Sequence, residues 1–234
     1  MTALLAVIAT VPDPSSDANG KDAAENNTGE RVKGVPPRDP TTKKSLIDLS
    51  SCYNGSLREG WLPSTVAGTT AQKAFPIPFG VSKFDGLDFD VRGVVQLSGN
   101  RMKQAGGEFP EKVLDIRAGL KCKRLHFLHA AGWAANNYVP LGTQIGTYVV
   151  HYADNSEREI PIVTGENLRD WVPHDEDEVS QGTVVWKDKT PGGLTARIYK
   201  CQWENPQSEI EIKSIDFVSK MTDASPFLIA ITAE

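Results

Sequence analysis

Residues 209–217 read "EIEIKSIDF", in which apolar and polar side chains alternate with a period of two. This alternation indicates a β-strand with one buried face, because successive side chains of a strand point to opposite faces of the sheet. The alternation changes phase across Lys213–Ser214, between Ile212 and Ile215. An extra residue of this kind predicts a β-bulge within the strand.

Short runs of similar character recur from Ser45 to the end of the chain, separated by Gly, Pro, Asn and Asp. They are rich in the β-branched and aromatic residues that strands favour. The runs are "SLIDLSSCY", "AFPIPFGV", "LDFDVRGVVQLS", "KVLDIRAG", "KRLHFLHA", "QIGTYVVHYA", "REIPIVTG", "GTVVWKD", "TARIYKCQW", "EIEIKSIDFVS" and "FLIAITAE". Asp154 and Asn155 lie between two of them and predict a hairpin turn.

Helical periodicity is weak, since no window longer than about ten residues keeps an apolar stripe at helical spacing. We expect helix only in a turn or two, with "GENLRDW" (165–171) as the candidate. The sequence therefore predicts an all-β protein, a single β-sandwich or jelly roll over residues 45–234.

The first 44 residues differ in composition from the rest. Residues 12–44 are polar and rich in proline, and they predict a linker or an extended N-terminal arm. The apolar segment "ALLAVIATV" (3–11) lacks a basic flank and is shorter than the ~20 residues of a membrane span. It is typical either of a truncated export signal, which would favour an exported or envelope protein, or of an apolar start that packs on the domain.

Net charge and cysteine spacing exclude some functions. A formal charge of −5 without a basic stripe argues against nucleic-acid binding. Cys52, Cys122 and Cys201 form no CxxC pair, and the last two lie in strand-like runs, which favours buried thiols. One disulfide with one free thiol stays open as an alternative.

Metal and catalytic motifs are weak. His126 and His129 are three residues apart on a predicted strand and therefore point to opposite faces, so they cannot chelate one ion without a bulge. The acidic run 174–179 is a solvated loop, or at most a calcium-binding loop. No nucleophile elbow is present, and we expect a protein that is not an enzyme and has no cofactor.

Two aromatic and polar clusters are the candidate binding residues. One is "AAGWAANNY" (130–138) and the other is "GENLRDW". Indole and phenol rings beside amide and carboxylate groups suit a sugar, because the rings stack on its apolar face while the polar groups bind its hydroxyls. The alternative is that the tryptophans only close the ends of the sandwich. The predicted ligand-binding residues are Trp133, Asn136, Asn137, Tyr138, Glu166, Asp170 and Trp171.

The chain from about Ser45 to Glu234 resembles the galactose-binding-like β-sandwich modules of bacterial glycan-acting and envelope proteins. The stretches that carry the resemblance are "IDLSSCYNGSL", "IPFGVSKFDGLDFDVRGVVQLSG", "LHFLHAAGW", "GTYVVHYADNSEREIPIVTGENLRDW" and "WENPQSEIEIKSIDFVSKMTDASPFLIAITAE". The resemblance implies a jelly-roll-like fold and non-catalytic carbohydrate binding by an accessory domain.

Three hypotheses about function follow, in order of preference. The first is a lectin-like module for a glycan. The second is a structural or self-assembling subunit, in which residues 1–44 hold a second copy or another protein. The third is a polysaccharide hydrolase with a carboxylate pair drawn from Glu166, Asp170 and Asp154.

Overall fold

A computed structural model describes residues 32–63, 76–172, 179–190 and 193–234, and these residues form an all-β fold. The strands are β1 (Gly80–Phe84), β2 (Leu87–Val91), β3 (Val95–Gln96), β4 (Lys112–Leu120), β5 (Arg124–Gly132), β6 (Gln144–Tyr152), β7 (Glu157–Val163), β8 (Gly182–Lys189), β9 (Thr195–Glu204), β10 (Ile212–Ser219) and β11 (Ser225–Ala233). One short helix, α1 (Asn100–Gln104), lies between β3 and β4.

Two antiparallel sheets pack face to face and confirm the predicted sandwich. The five-stranded sheet has the order β3-β11-β5-β9-β8, and the four-stranded sheet has the order β4-β10-β6-β7. Phe127 of β5 stacks on Tyr148 of β6 with ring centroids 4.1 Å apart, and Tyr148 stacks on Phe217 of β10 at 4.9 Å. The core therefore lies between the sheets, where side chains from both inner faces interdigitate.

The hairpin of β1 and β2 lies over the five-stranded sheet. The Thr232 hydroxyl of β11 donates to the Asp88 carbonyl at 2.8 Å, Lys200 of β9 pairs with Asp85, and Phe89 is fully buried. Because this sheet is covered on both faces, almost every residue of β5 and β11 is buried. This explains why both strands read as nearly continuous apolar runs rather than as alternating ones.

Two local features predicted from the sequence are confirmed. The register of β10 shifts between Ile212 and Ser214 against both of its neighbours, at the position of the predicted bulge. The β6–β7 hairpin turns at Asp154–Asn155, where Asn155 has φ 66° and Asp154 Oδ1 accepts the Ser156 N–H at 2.9 Å.

Two predicted strands were wrong in whole or in part. The run "SLIDLSSCY" (45–53) forms turns with a single bridge, from Leu46 to Thr232. Asp48 accepts the Ser50 N–H at 2.9 Å, and such a side chain to backbone bond favours a turn over a strand. Of "AFPIPFGV" (74–81), residues 76–81 are described, and among these the strand begins only at Gly80, because prolines cannot donate to a sheet.

The predicted helix in "GENLRDW" was also wrong. Residues 165–167 form a turn, Gly165 has φ 81°, and Leu168 bridges to Thr164. The Asn167 side chain accepts the Val163 N–H at 2.8 Å, and such a local side chain to backbone bond favours a turn over a helix.

Residues 32–47, called the strap below, pack on the domain itself. Arg38 donates to Asp90 at 3.0 Å and to the Leu46 carbonyl, and Ile47 N–H donates to the Ile231 carbonyl of β11 at 2.9 Å. The described part of the predicted arm is therefore attached to its own sandwich. Residues 1–31, which include the apolar segment 3–11, lie outside the described residues.

The cysteines are free thiols. Cys122 and Cys201 are buried, as predicted, and Cys52 is half-buried. Burial raises the pKa of the Cys122 and Cys201 thiols to about 11, so both stay protonated and weakly reactive near neutral pH.

Candidate functional site

The two aromatic clusters lie side by side at one end of the sandwich. The first follows β5 as residues 133–141, called the Trp133 loop, and the second follows β7 as residues 164–172, called the Asp170 turn. Ala131 and Asp170 form a parallel bridge, and the Trp171 N–H donates to the Ala131 carbonyl at 2.8 Å. The fold therefore joins two clusters that are far apart along the chain.

Asp170 fixes both segments through its carboxylate. Oδ2 accepts the Ala134 N–H at 2.9 Å, and Oδ1 accepts the Val172 N–H at the same distance. The residue is only 6% exposed, and its carbonyl accepts the Tyr199 hydroxyl at 3.4 Å. Hydrogen bonds from backbone N–H groups to a buried carboxylate are among the stronger ones in proteins. The geometry gives Asp170 a positioning role beneath the surface.

Trp171 is part of the core at this end. It is 5% exposed and packs against Trp61 and Phe227, with ring centroids 6.3 Å and 6.5 Å away. Because so little of its surface is exposed, this tryptophan supports the loop end rather than presenting a face for stacking.

Trp133 is half-buried and has a left-handed backbone, with φ 53°. A bulky side chain is rare in this conformation, which costs roughly 1–2 kcal/mol for a residue other than glycine. The adjacent N–H of Ala134 is held by Asp170, so the conformation is enforced by a long-range bond. Strain of this kind clusters at binding sites, where it aims a side chain.

The rest of the Trp133 loop supplies the exposed polar groups. Asn136 and Asn137 are exposed and Tyr138 is half-buried, within a turn in which the Tyr138 N–H donates to the Ala135 carbonyl at 2.9 Å. Leu141 closes the loop and is 53% exposed. This loop therefore combines exposed amides, partly exposed rings and an exposed apolar side chain within nine residues.

The helix α1 contributes Arg101, which sequence reasoning missed. Its guanidinium lies 5.4 Å from the centroid of the Tyr138 ring, and its Nε donates to Asp223 at 3.3 Å. A helix of five residues leaves no periodic apolar stripe, so no sequence signal placed Arg101 here. Leu141 was missed for a similar reason, because its exposure depends on how the loop ends.

Glu166 lies at the rim formed by the Asp170 turn. It is half-buried, and its Oε2 accepts the Gln181 side-chain amide at 3.3 Å. Its carbonyl also accepts the N–H groups of Gln181 and Gly182, each at 2.9 Å. This network holds the carboxylate at the edge of the loop end.

The histidines of β5 point to opposite faces, as predicted. His126 Nε2 lies 2.9 Å from Glu234 Oε2, whereas His129 Nδ1 lies 3.1 Å from the Tyr148 hydroxyl in the core between the sheets. Burial lowers the pKa of His129 to about 3, against a smaller opposite contribution from the Asn167 backbone, so this ring is neutral. In the described ranges, no group of three or more His, Cys, Asp or Glu could hold a metal ion. The candidate calcium loop, except Val179, lies outside those ranges.

The carboxylate pair of the hydrolase hypothesis is only partly brought together. Asp154 lies in the β6–β7 hairpin, at the opposite end of β7 from Glu166 and Asp170. At ~3.3 Å per residue, this strand separates them by about 20 Å. Glycosidases need their two carboxylates within about 10 Å of each other. Glu166 and Asp170 share one turn, but both Asp170 oxygens accept backbone N–H groups.

Comparison with known proteins gives no relative: no family model, no curated protein and no solved structure matches this chain. Within the part of the chain that the structure describes, no helix has the length and hydropathy that a membrane span requires.

Proposed function

We propose that this chain is a non-catalytic carbohydrate-binding module that binds a glycan at the loop end formed by the Trp133 loop and the Asp170 turn. The observation that carries the proposal is Trp133 itself. A half-buried tryptophan, held in a left-handed conformation by a buried carboxylate, is a costly arrangement for a residue that only closes a sandwich end.

The chemistry of the surrounding surface supports this proposal. Trp133 and Tyr138 supply partly exposed rings for the apolar face of a sugar, and Asn136 and Asn137 supply amide donors and acceptors for hydroxyls. Glu166 adds an acceptor at the rim. In this arrangement Asp170 and Trp171 hold the surface in place from below.

An open surface of this kind predicts weak binding. Few polar groups of this surface would contact the ligand, and the ligand would stay partly solvated. We therefore expect dissociation constants between micromolar and millimolar. The specificity for one sugar over another would come from hydrogen bonds to its hydroxyl groups, because aromatic stacking alone distinguishes poorly between sugars.

The test is a glycan array probed with the full chain, followed by calorimetry on any glycan that binds. Tyr138→Ala and the double variant Asn136→Ala/Asn137→Ala should each weaken binding about tenfold, since each loses one set of contacts. Trp203→Ala is the matched control, because Trp203 is a partly buried tryptophan that pairs with Leu125 at the other end of β5. Equal affinity of the loop variants and the wild type would refute the proposed site.

The structural-subunit hypothesis is less well supported. Its motivating feature was an arm that holds another chain, but the described part of that arm, residues 32–44, contacts its own sandwich through Arg38. The hydrolase hypothesis requires a free carboxylate pair, which the Asp170 hydrogen bonds do not favour.

A further inference from the structure

A second concave surface lies far from the Trp133 loop in sequence, between the strap and β4. It is a cleft of about 230 Å³, which we call the strap cleft. Leu46, Ile47 and Ala118 supply its apolar part, and the first two are almost completely buried. The remaining lining residues are polar or charged, and their charges are not balanced.

Part of this charge is neutralised within the protein. Arg38 pairs with Asp90 at 3.0 Å, and Asp48 pairs with Arg92 at 2.6 Å. Arg92 also donates to Asp90 at 3.0 Å, so two cations and two carboxylates form one closed network. The carboxylate of Asp48, which lines the cleft, is therefore already compensated.

Two cations of the cleft lack such a close partner. Lys44 makes no ion pair with any residue that the structure describes. The Arg117 side chain is 90% exposed, and its nearest carboxylate, Asp115, is 4.0 Å away, which is too long for a hydrogen bond. The chain carries a net charge of −5, so this positive surface is a local feature.

Thr42 adds an independent observation. Thr42 lines the cleft, and its Oγ1 is buried without a hydrogen-bond partner in the described structure. A buried hydroxyl without a partner is unfavourable, and most such groups in proteins are satisfied by a water or a ligand. Thr42 therefore places a hydroxyl without a partner at the wall of the cleft.

We propose that the strap cleft binds a phosphate or sulfate group. Lys44 and Arg117 would supply charge and N–H donors from the two walls, and the Thr42 hydroxyl would donate from between them. A tetrahedral oxyanion suits donors that approach from several directions, because its oxygens accept hydrogen bonds on all sides. This proposal is independent of the glycan site.

The test is calorimetric titration of the full chain with inorganic sulfate and inorganic phosphate at constant ionic strength, with chloride as the balancing anion. Wild-type protein should bind both oxyanions saturably. Lys44→Ala/Arg117→Ala should lose at least tenfold in affinity, and Thr42→Val, which keeps the side-chain shape, should lose several-fold. Lys187→Ala/Lys220→Ala removes two exposed charges elsewhere and should bind like the wild type.

Three results would overturn the proposal. One is an absence of saturable binding by the wild type, and another is unchanged affinity in Lys44→Ala/Arg117→Ala. The third is an equal loss in both double variants, which indicates a general effect of charge. Comparison of the free ions with a phosphorylated or sulfated monosaccharide then shows whether the cleft prefers a free ion or a group carried on a sugar.

Discussion

Trp133 shows how one residue connects local strain to the proposed site. Its left-handed backbone is unfavourable for a side chain of this size, yet the bond from Ala134 N–H to Asp170 keeps it there. Among the residues that the structure describes, four others that are not glycine have positive φ, namely Asp85, Asp115, Asn155 and Met221. Asp and Asn adopt this conformation readily, whereas a large aromatic side chain such as that of Trp133 adopts it only at a cost in free energy.

Replacement of Trp133 by glycine and by alanine separates the backbone strain at this position from the contacts that the indole makes. Both variants lose the indole, but only glycine adopts positive φ without a penalty. We therefore expect Trp133→Gly to be more stable than Trp133→Ala by about 1 kcal/mol in urea unfolding, with both unable to bind the glycan. Equal stability of the two variants would show that the backbone at this position relaxes when the indole is removed.

At the scale of elements, the loop end depends on one buried carboxylate that holds two segments. Removal of the Asp170 side chain leaves the N–H groups of Ala134 and Val172 without their acceptor. Asp170→Ala should therefore lose about 3 kcal/mol of stability and weaken glycan binding, although Asp170 touches no ligand. Glu166→Ala is the control at the rim and should cost less than about 1 kcal/mol by the same unfolding assay.

The four-stranded sheet carries a histidine between two carboxylates. His151 Nδ1 lies 3.0 Å from Glu157 on β7, and its Nε2 lies 2.9 Å from Asp216 on β10. Burial lowers the pKa of His151, but the bond to Asp216 and the charges of both carboxylates outweigh it and raise the pKa above 6.5. The His151 ring thus links three neighbouring strands.

This raised pKa predicts a pH dependence with a definite sign. A proton bound more tightly in the folded state stabilises the fold fully below the unfolded pKa of about 6.5. That stabilisation is lost as the pH rises from 6.5 through the folded pKa of His151. His151→Gln should flatten the stability profile over this window in chemical unfolding. A variant profile that parallels the wild type above pH 6.5 would contradict the assignment.

Sequence reasoning succeeded where the signal was local. The alternation in β10 and the Asx turn at Asp154 depend on neighbouring residues, so the bulge and the hairpin could be predicted. The burial of Trp171 and the role of Asp170 depend on partners such as Trp61 and Ala134, which are distant along the chain. Polar neighbours in "GENLRDW" suggested exposure, whereas the fold buries Asn167, Arg169 and Asp170 and leaves Glu166 half-buried at the rim.

At the scale of the whole molecule, the core between the two sheets contains a neutral histidine. His129 of β5 bonds to the Tyr148 hydroxyl of β6 inside the stack that includes Phe127. Burial lowers its pKa from 6.5 to about 3, so protonation favours the unfolded chain. The packing of the sandwich is thereby linked to acid stability.

Acid unfolding tests this link. Because the unfolded chain binds the proton first, stability contributed by neutral His129 is present above pH 6.5 and is lost as the pH falls towards 3. The difference between the unfolded and folded pKa values of His129 corresponds to about 5 kcal/mol in the free energy of unfolding. His129→Gln cannot titrate, so its stability should fall less steeply between pH 6.5 and 3 than that of the wild type in urea unfolding. Parallel profiles would show that carboxylates alone cause the acid loss.

The central claim is that the loop end binds a carbohydrate through Trp133. The most direct measurement is one glycan array probed in parallel with the full-length wild type, Trp133→Gly and Trp203→Ala, each confirmed as folded by circular dichroism. The account predicts a reproducible set of glycans for the wild type and Trp203→Ala that disappears for Trp133→Gly. No binding by the folded wild type, or the same glycans bound by Trp133→Gly, would contradict it.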